Sequence, residues 1–154
     1  MSEIAFIPFE PDHLAGLKLQ AAQTYFQENV RDPAYRRHLK VAGLSWSGEV
    51  NGRVVGAAGV LPQASGRAIV WALFSRDIPF KGWLPITRFV KKVLADAHGA
   101  GIRRIEAIVD PAHGAGVRWA ERLGFVCETP WGMAGFGADG KTYLLFAHVE
   151  GDQK

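Results

Sequence analysis

The sequence predicts one α/β domain spanning residues 1–154, built on a mixed sheet that is antiparallel toward the N-terminus, parallel at its centre and flanked by helices. Three stretches carry that expectation. Asn51-Gly52 sits between two apolar-rich runs and is the strongest short hairpin signal, because a type I′ turn needs positive φ at both central residues. Leu84–Ala100 repeats apolar residues at the i, i+3, i+4, i+7 spacing of an amphipathic helix. Arg103–Phe125 reads as a strand covered on both faces, a short turn, and a helix stopped by a Gly-Phe pair.

Taken in order, Ile4–Pro8 is a first strand. Pro11 and Asp12 open a helical segment, since proline is tolerated in a first turn and Asp favours the positive helix end. Leu14, Leu17 and Ala21 give it an apolar face. A second helix, Ala34–Lys40, follows Asp32-Pro33, and its Arg36, Arg37, His38 and Lys40 read as a solvated basic face that an anionic partner would also suit. Leu44–Val50 and Arg53–Val60 flank the Asn51-Gly52 turn. Arg67–Phe74 adds a third strand after the Pro62–Gly66 loop. In the long helix, Ile86, Phe89, Val90, Val93, Leu94 and Ala97 take one face, Pro85 suits the first turn, and Gly99 and Gly101 end it.

Arg104–Val109 then forms a covered strand that Asp110-Pro111 terminates. From Gly114 the period changes to 3.6, with Ala115, Gly116, Trp119, Ala120 and Leu123 on one arc. Gly124 stands where a left-handed residue closes a helix, and Phe125 is placed to pack back on the last turn. A strand from Phe125 to about Thr129, a Gly-rich loop Trp131–Gly140 and a last strand Lys141–His148 complete the chain. Two right-handed crossovers make the centre parallel. The expected core includes Phe89, Val93, Ile105, Ala107, Val109, Leu123 and Phe125.

Composition narrows the function classes. A formal charge of +3 is mild, so nucleic acid is not an expected partner; a binder would concentrate a basic face. No apolar run approaches the ~20 residues a bilayer span needs, and Glu3 stands where a signal peptide would carry basic residues. A single cysteine, Cys127, excludes an internal disulfide, fits a reducing compartment, and reads as a buried inert thiol. These features predict an intracellular protein without a membrane partner.

The order of elements, together with the pattern Val109-x₃-His113-x₆-Ala120-x₃-Gly124-Phe125, resembles the GNAT superfamily of N-acetyltransferases and its motif B. The resemblance runs from Leu44 to His148, with the first 40 residues matched in outline. Arg104–Ala107, Arg118-Trp119 and Leu123–Phe125 are similar to small acetyltransferase-like proteins encoded in phages and prophages. It implies a GNAT-like fold, acetyl-CoA as cofactor, and transfer of its acetyl group to an amine acceptor, with weak or absent turnover. The alternative it implies is a non-catalytic GNAT-fold structural or accessory protein of a bacteriophage particle or its assembly, with phage structural proteins as partners. An oligomer is compatible with either. The implied location is the cytoplasm (the host's, if phage-encoded) or the virion.

The resemblance also assigns roles. In the family, acetyl-CoA lies where two central parallel strands splay apart, and a Gly-rich loop before the long helix grips its pyrophosphate. The matching segment here, Phe74–Trp83, has one glycine. Arg76, Lys81 and the backbone N–H groups of Gly82 and Trp83 are the candidate phosphate ligands. The family's Asn near the start of the following helix is His113 here, a candidate ligand for the CoA arm. The family's thiolate-protonating Tyr is replaced by Ala120, whose neighbour Trp119 has no acidic proton. Tyr25, Tyr35 and Tyr143 are the phenols that could replace it. The strand Arg67–Phe74 lacks the usual general-base Glu, which leaves Glu106 as candidate catalytic base, or as a structural partner of Arg103, Arg104 or Arg118. Trp83 and Trp131, in loops, are expected to line an apolar pocket or anchor a partner. No metal is expected.

Overall fold

The computed structural model describes residues 3–20, 23 and 27–151. Ala21 and Tyr25 lie outside the described residues. The elements are β1 (Ala5–Pro8), a 3₁₀ turn (Pro11–Leu14), α1 (Gln27–Arg31), α2 (Pro33–His38), β2 (Ser45–Val50), β3 (Arg53–Ala64) and β4 (Arg67–Phe74). A second 3₁₀ turn (Phe80–Gly82) leads into α3 (Trp83–Gly99), followed by β5 (Arg104–Val109), α4 (Gly114–Arg122), β6 (Val126–Cys127) and β7 (Leu144–Val149). The strands form one mixed seven-stranded sheet in the order β1-β2-β3-β4-β5-β7-β6. Among the described residues no helix is long and apolar enough to cross a membrane. The chain packs as two compact units that interleave in sequence: Met1–Leu61 with Val70–Val93, and Pro62–Ile69 with Leu94–Lys154.

The first unit holds the antiparallel meander. β1 pairs with β2 from Ala5↔Glu49 to Pro8↔Trp46, and β2 pairs with β3 around Asn51-Gly52. Both turn residues have positive φ, 53° and 76°, as the type I′ hairpin requires. Phe9, Leu14, Leu17, Val30, Leu39 and Leu73 belong to its buried core, with Trp71 packed against them. Elsewhere in the unit Phe6 stacks on Phe89 with ring centroids 4.1 Å apart, and Trp46 meets Phe89 edge-on. Phe89 and Val93 are half-buried, whereas Ile86 is buried.

Two expectations fail here. The helix expected from Pro11 is a single 3₁₀ turn: Leu17 is buried but not helical, and Leu19 forms an antiparallel bridge with Ser75. Gly16 weakens the helix beyond that turn, and the backbone finds hydrogen-bond partners at the end of β4 instead. Nor is the basic cluster wholly a solvated face. Arg36 is buried, and its Nη1 donates to the Val30 carbonyl at 2.8 Å; Arg37, His38 and Lys40 remain exposed.

In the second unit β5 pairs in parallel with the start of β4, Arg67↔Arg104 to Ile69↔Glu106, as the sequence predicts. On its other side β5 pairs antiparallel with β7 along all six residues. β6 pairs with β7 and not with β5, so the second crossover returns parallel to β5 but one position further out. A two-residue β6 cannot cover the apolar length of β5, whereas the six-residue β7 can.

The end of α4 is a Schellman closure. Gly124 has φ 99°, its N–H donates to Glu121 O, and the Phe125 N–H donates to Ala120 O, each at 3.0 Å. Ile105, Ala107, Leu123, Phe125 and Phe146 are buried, while Val109 is half-buried and Ala115 exposed. Cys127 is half-buried on β6 and not sealed in the core, because a two-residue edge strand covers little.

Candidate active site

In the first unit β4 runs through a loop into α3. Ser75 opens the loop, its Oγ accepting from the Asp77 N–H at 3.0 Å. Arg76 and Lys81 are exposed, as phosphate-binding cations must be. The two amides expected to join them are already engaged. The Gly82 N–H donates to Pro79 O at 2.8 Å, and the Trp83 N–H donates to Phe80 O. The Phe80–Gly82 turn therefore uses the donors that a glycine-rich loop would present to an anion. Trp83 is the first residue of α3 and lies edge-on to Phe74, ring centroids 4.9 Å apart, so it is half-buried in its own unit. Phe80 is 92% exposed.

The edge of β4 that faces away from β3 is also occupied within this unit. Ser75 N–H donates to Val55 O on the β3 side. On the opposite edge the Gln23 carboxamide donates from Nε2 to Ala72 O at 2.8 Å. Its Oε1 accepts from the Phe74 N–H at 3.0 Å. Further along, Gln20 N–H donates to Phe74 O, and Arg76 N–H donates to Lys18 O.

In the second unit, Glu106 occupies the last position at which β5 pairs with β4. Beyond it, Ala107, Ile108 and Val109 have β7 as their strand partner among the described residues, so the opposite edge offers unpaired backbone groups. Glu106 Oε2 accepts from Arg104 Nε at 2.6 Å. The same guanidinium forks onto Glu128, Nη1 to Oε2 at 3.0 Å and Nη2 to Oε1 at 2.5 Å. Spacing of two along a strand puts Arg104 and Glu106 on one face. The paired Arg104 holds the Glu128 carboxyl below the usual carboxylate range, and the two carboxylates hold the guanidinium firmly protonated.

Asp110 closes β5 with an Asx turn, its Oδ1 accepting from Ala112 N–H at 2.9 Å. His113 is the residue before α4. Its ring lies so close over Gly116 that an added Cβ there would meet His113 Cδ2 at 2.4 Å, so the glycine makes room for the imidazole. Ala120, at the position of the family's phenol, is buried. Tyr143 is buried too, and its hydroxyl donates to Asp139 Oδ2 at 3.3 Å; Tyr35 is half-buried. Trp131 is 95% exposed. Among the described residues no group of three His, Cys, Asp or Glu side chains could hold a metal ion.

The candidate residues thus fall into two sets. Arg76, Lys81, Gly82 and Trp83 share the loop before α3, while Glu106 and His113 stand on β5 and at the start of α4. Sequence reading missed Gln23, for which no local pattern exists. It also missed the Arg104–Glu128 fork and the His98–His148 pair, in which His98 Nε2 and His148 Nδ1 share a hydrogen bond of 2.8 Å.

No protein-family model matches the chain, and no curated protein matches it. Solved structures do. Ard1 from Thermoplasma volcanium superimposes with a TM-score of 0.76 at 12% identity, over 95% of this chain and 97% of that one. A GNAT-family acetyltransferase from Bacillus anthracis gives 0.71 at 14% identity, over 97% and 98%. The yncA protein of Salmonella typhimurium, solved with its cofactor acetyl-CoA, gives 0.69 at 13% identity, over 97% and 95%. At these identities the likeness is one of fold, and the chain has the mixed α/β fold that these GNAT structures share.

Proposed function

We propose that this protein is an acetyl-CoA-dependent N-acetyltransferase of low turnover, acting on an amine. The observation that carries the reading is the position of Glu106: a carboxylate at the last paired residue of β5, directly before a stretch of unpaired strand edge. Likeness of fold to a protein solved with acetyl-CoA supports it. The residues fit the cofactor in part. Arg76 and Lys81 are exposed cations suited to its phosphates, and the Ala107–Val109 edge can pair with amides, whereas the Gly82 and Trp83 amides are spent inside their turn.

When bound, acetyl-CoA would supply an acetyl thioester, at which the amine nitrogen would form the new C–N bond as the C–S bond breaks and CoA leaves as a thiolate that takes its proton from solvent. Glu106 receives the proton that the amine loses, directly or through one water. Arg104 fixes the carboxylate's orientation through Oε2; among the described residues Oε1 has no hydrogen-bond partner. Within the first unit Arg76 and Lys81 would hold the cofactor's charged end, and within the second His113 would be the ligand for its arm. With Ala120 where the family's acid stands, about 10²–10⁴-fold of general-acid assistance is absent, hence the low turnover.

Isothermal titration with acetyl-CoA at low ionic strength tests the reading. Saturable one-to-one binding that weakens with added salt is expected; no binding overturns it. A second reading, a non-catalytic structural or accessory protein of a bacteriophage particle or its assembly, is favoured by the internally satisfied Gly82 and Trp83 amides and by the exposed Trp131. Stoichiometric presence in purified particles, by mass spectrometry, with no acetyl transfer would establish it.

A further inference from the structure

We propose that Gln23 is a displaceable plug: its carboxamide occupies a strand-edge position on β4, and an amide-bearing ligand must displace it to bind there. The proposal rests on the acetyl-CoA reading above. A strand edge exposes a C=O and, two residues later, an N–H, and a neighbouring strand satisfies both from one residue. Gln23 does the same with a side chain, donating to Ala72 O at 2.8 Å and accepting from Phe74 N–H at 3.0 Å. These bonds cross 49 and 51 residues of chain, so they are tertiary contacts and not local capping.

The contrast with the adjoining segment shows why the plug can leave. Lys18–Gln20 pairs with the end of β4 through main-chain bonds and the Leu19↔Ser75 bridge. Withdrawing that pairing would move backbone whose Leu17 and Leu19 are buried. Gln23 holds β4 by its side chain alone, its backbone N–H bonding locally to Gln20 O; it is half-buried, and the carboxamide leaves by a change of rotamer. Its two bonds would be replaced by two from the ligand, so the exchange is close to balanced apart from the side chain's own contribution. The ligand that fits is an extended chain presenting an N–H and a C=O as one peptide residue does. The pantetheine arm of coenzyme A, with a β-alanine unit between two secondary amides, has that chemistry. Its nucleotide end does not.

The test measures binding of coenzyme A, pantetheine and adenosine 3′,5′-bisphosphate to the wild-type chain, Gln23→Ala and Gln23→Glu, while following the Gln23 side-chain amide by ¹⁵N NMR. Gln23→Glu serves as the second variant, since a carboxylate can accept from Phe74 N–H but cannot donate to Ala72 O. Both variants should bind coenzyme A and pantetheine about tenfold more tightly and the bisphosphate unchanged. In the wild type the Gln23 amide signal should shift with the first two ligands only. Tight coenzyme A binding that leaves that signal unmoved, or is weakened by the substitutions, overturns the plug while sparing the acetyltransferase reading. A Gln23 shift with pantetheine but no coenzyme A binding overturns the acetyltransferase reading and keeps the plug. Silence from all three ligands overturns both.

Discussion

The edge of β4 away from β3 and the edge of β5 away from β7 answer the same physical demand in opposite ways. Each strand carries polar backbone groups past their short parallel pairing, and buried backbone groups need partners. On β4 the chain supplies them itself, with the Gln23 carboxamide and then the Lys18–Gln20 backbone. On β5 the Ala107–Val109 edge has no strand partner beyond β7 among the described residues, and a carboxylate, Glu106, stands at its start. An edge filled by a side chain can be vacated cheaply, whereas an edge left open is available from the outset. On the proposed reading, gating belongs to one strand and chemistry to the other.

The largest effect bearing on this comparison lies against β7, the strand that pairs with β5. Phe125 is buried and meets the His148 ring at 5.2 Å, and it completes the Schellman closure of α4. Phe125→Ala should cost about 3–5 kcal/mol in denaturant unfolding. A cost under about 1 kcal/mol would mean that α4 is not docked through its Gly-Phe end.

A smaller effect sharpens the role of the β4 loop. With the Gly82 and Trp83 amides turned inward, charge is what remains to hold phosphates, so Arg76→Ala combined with Lys81→Ala should weaken acetyl-CoA binding about tenfold at low salt. The loss should shrink as ionic strength rises, because screening removes the same interaction from the wild type. A salt-independent loss would point to packing instead of charge.

The His98–His148 pair predicts a pH dependence in the second unit. Burial pushes the His148 imidazole below its ordinary 6.5, neighbouring His98 adds to the depression, and a hydrogen bond to the Leu123 backbone opposes it. The folded state then binds fewer protons than the unfolded chain as the pH falls through the ordinary value. Stability from this group is therefore intact above 6.5 and declines below it, toward the depressed folded value. Urea midpoints measured from about pH 7.5 down to about pH 5.5 should fall, across the ordinary His range, and His148→Phe should flatten that slope. The smallest effect is expected at Trp131, whose 95% exposure makes Trp131→Ser neutral within about 0.5 kcal/mol. A larger loss would reveal packing in the Gly-rich loop.

Much of the fold was legible because its signals are local. The Asn51-Gly52 turn, the apolar period of α3 and the Gly124-Phe125 stop each declare themselves within a few residues, and the β4–β5 parallel pairing follows from the crossover between them. The place of β7 was not legible, since pairing choice depends on which strand is long enough to cover β5. The burial of Arg36 was likewise hidden: a helical period reports a face, but the Val30 carbonyl that receives the guanidinium lies on another helix. For the site, Arg76 and Lys81 are exposed, and the 3₁₀ turn that consumes the Gly82 and Trp83 amides left no mark that a single glycine could reveal. Gln23 had no signature at all, because one glutamine reaching a strand across 49 residues leaves no pattern in a sequence.

Acetyl transfer itself tests the central claim most directly. Purified protein is supplied with acetyl-CoA and a mixture of polyamine and peptide N-terminal acceptors, and release of the CoA thiol is followed beside mass detection of acetylated amine. The account predicts slow, saturable transfer that falls about 10²-fold or more in Glu106→Gln, with the fold of that variant intact by circular dichroism. Transfer that is unchanged in Glu106→Gln, or no transfer to any acceptor when acetyl-CoA is bound, would contradict it.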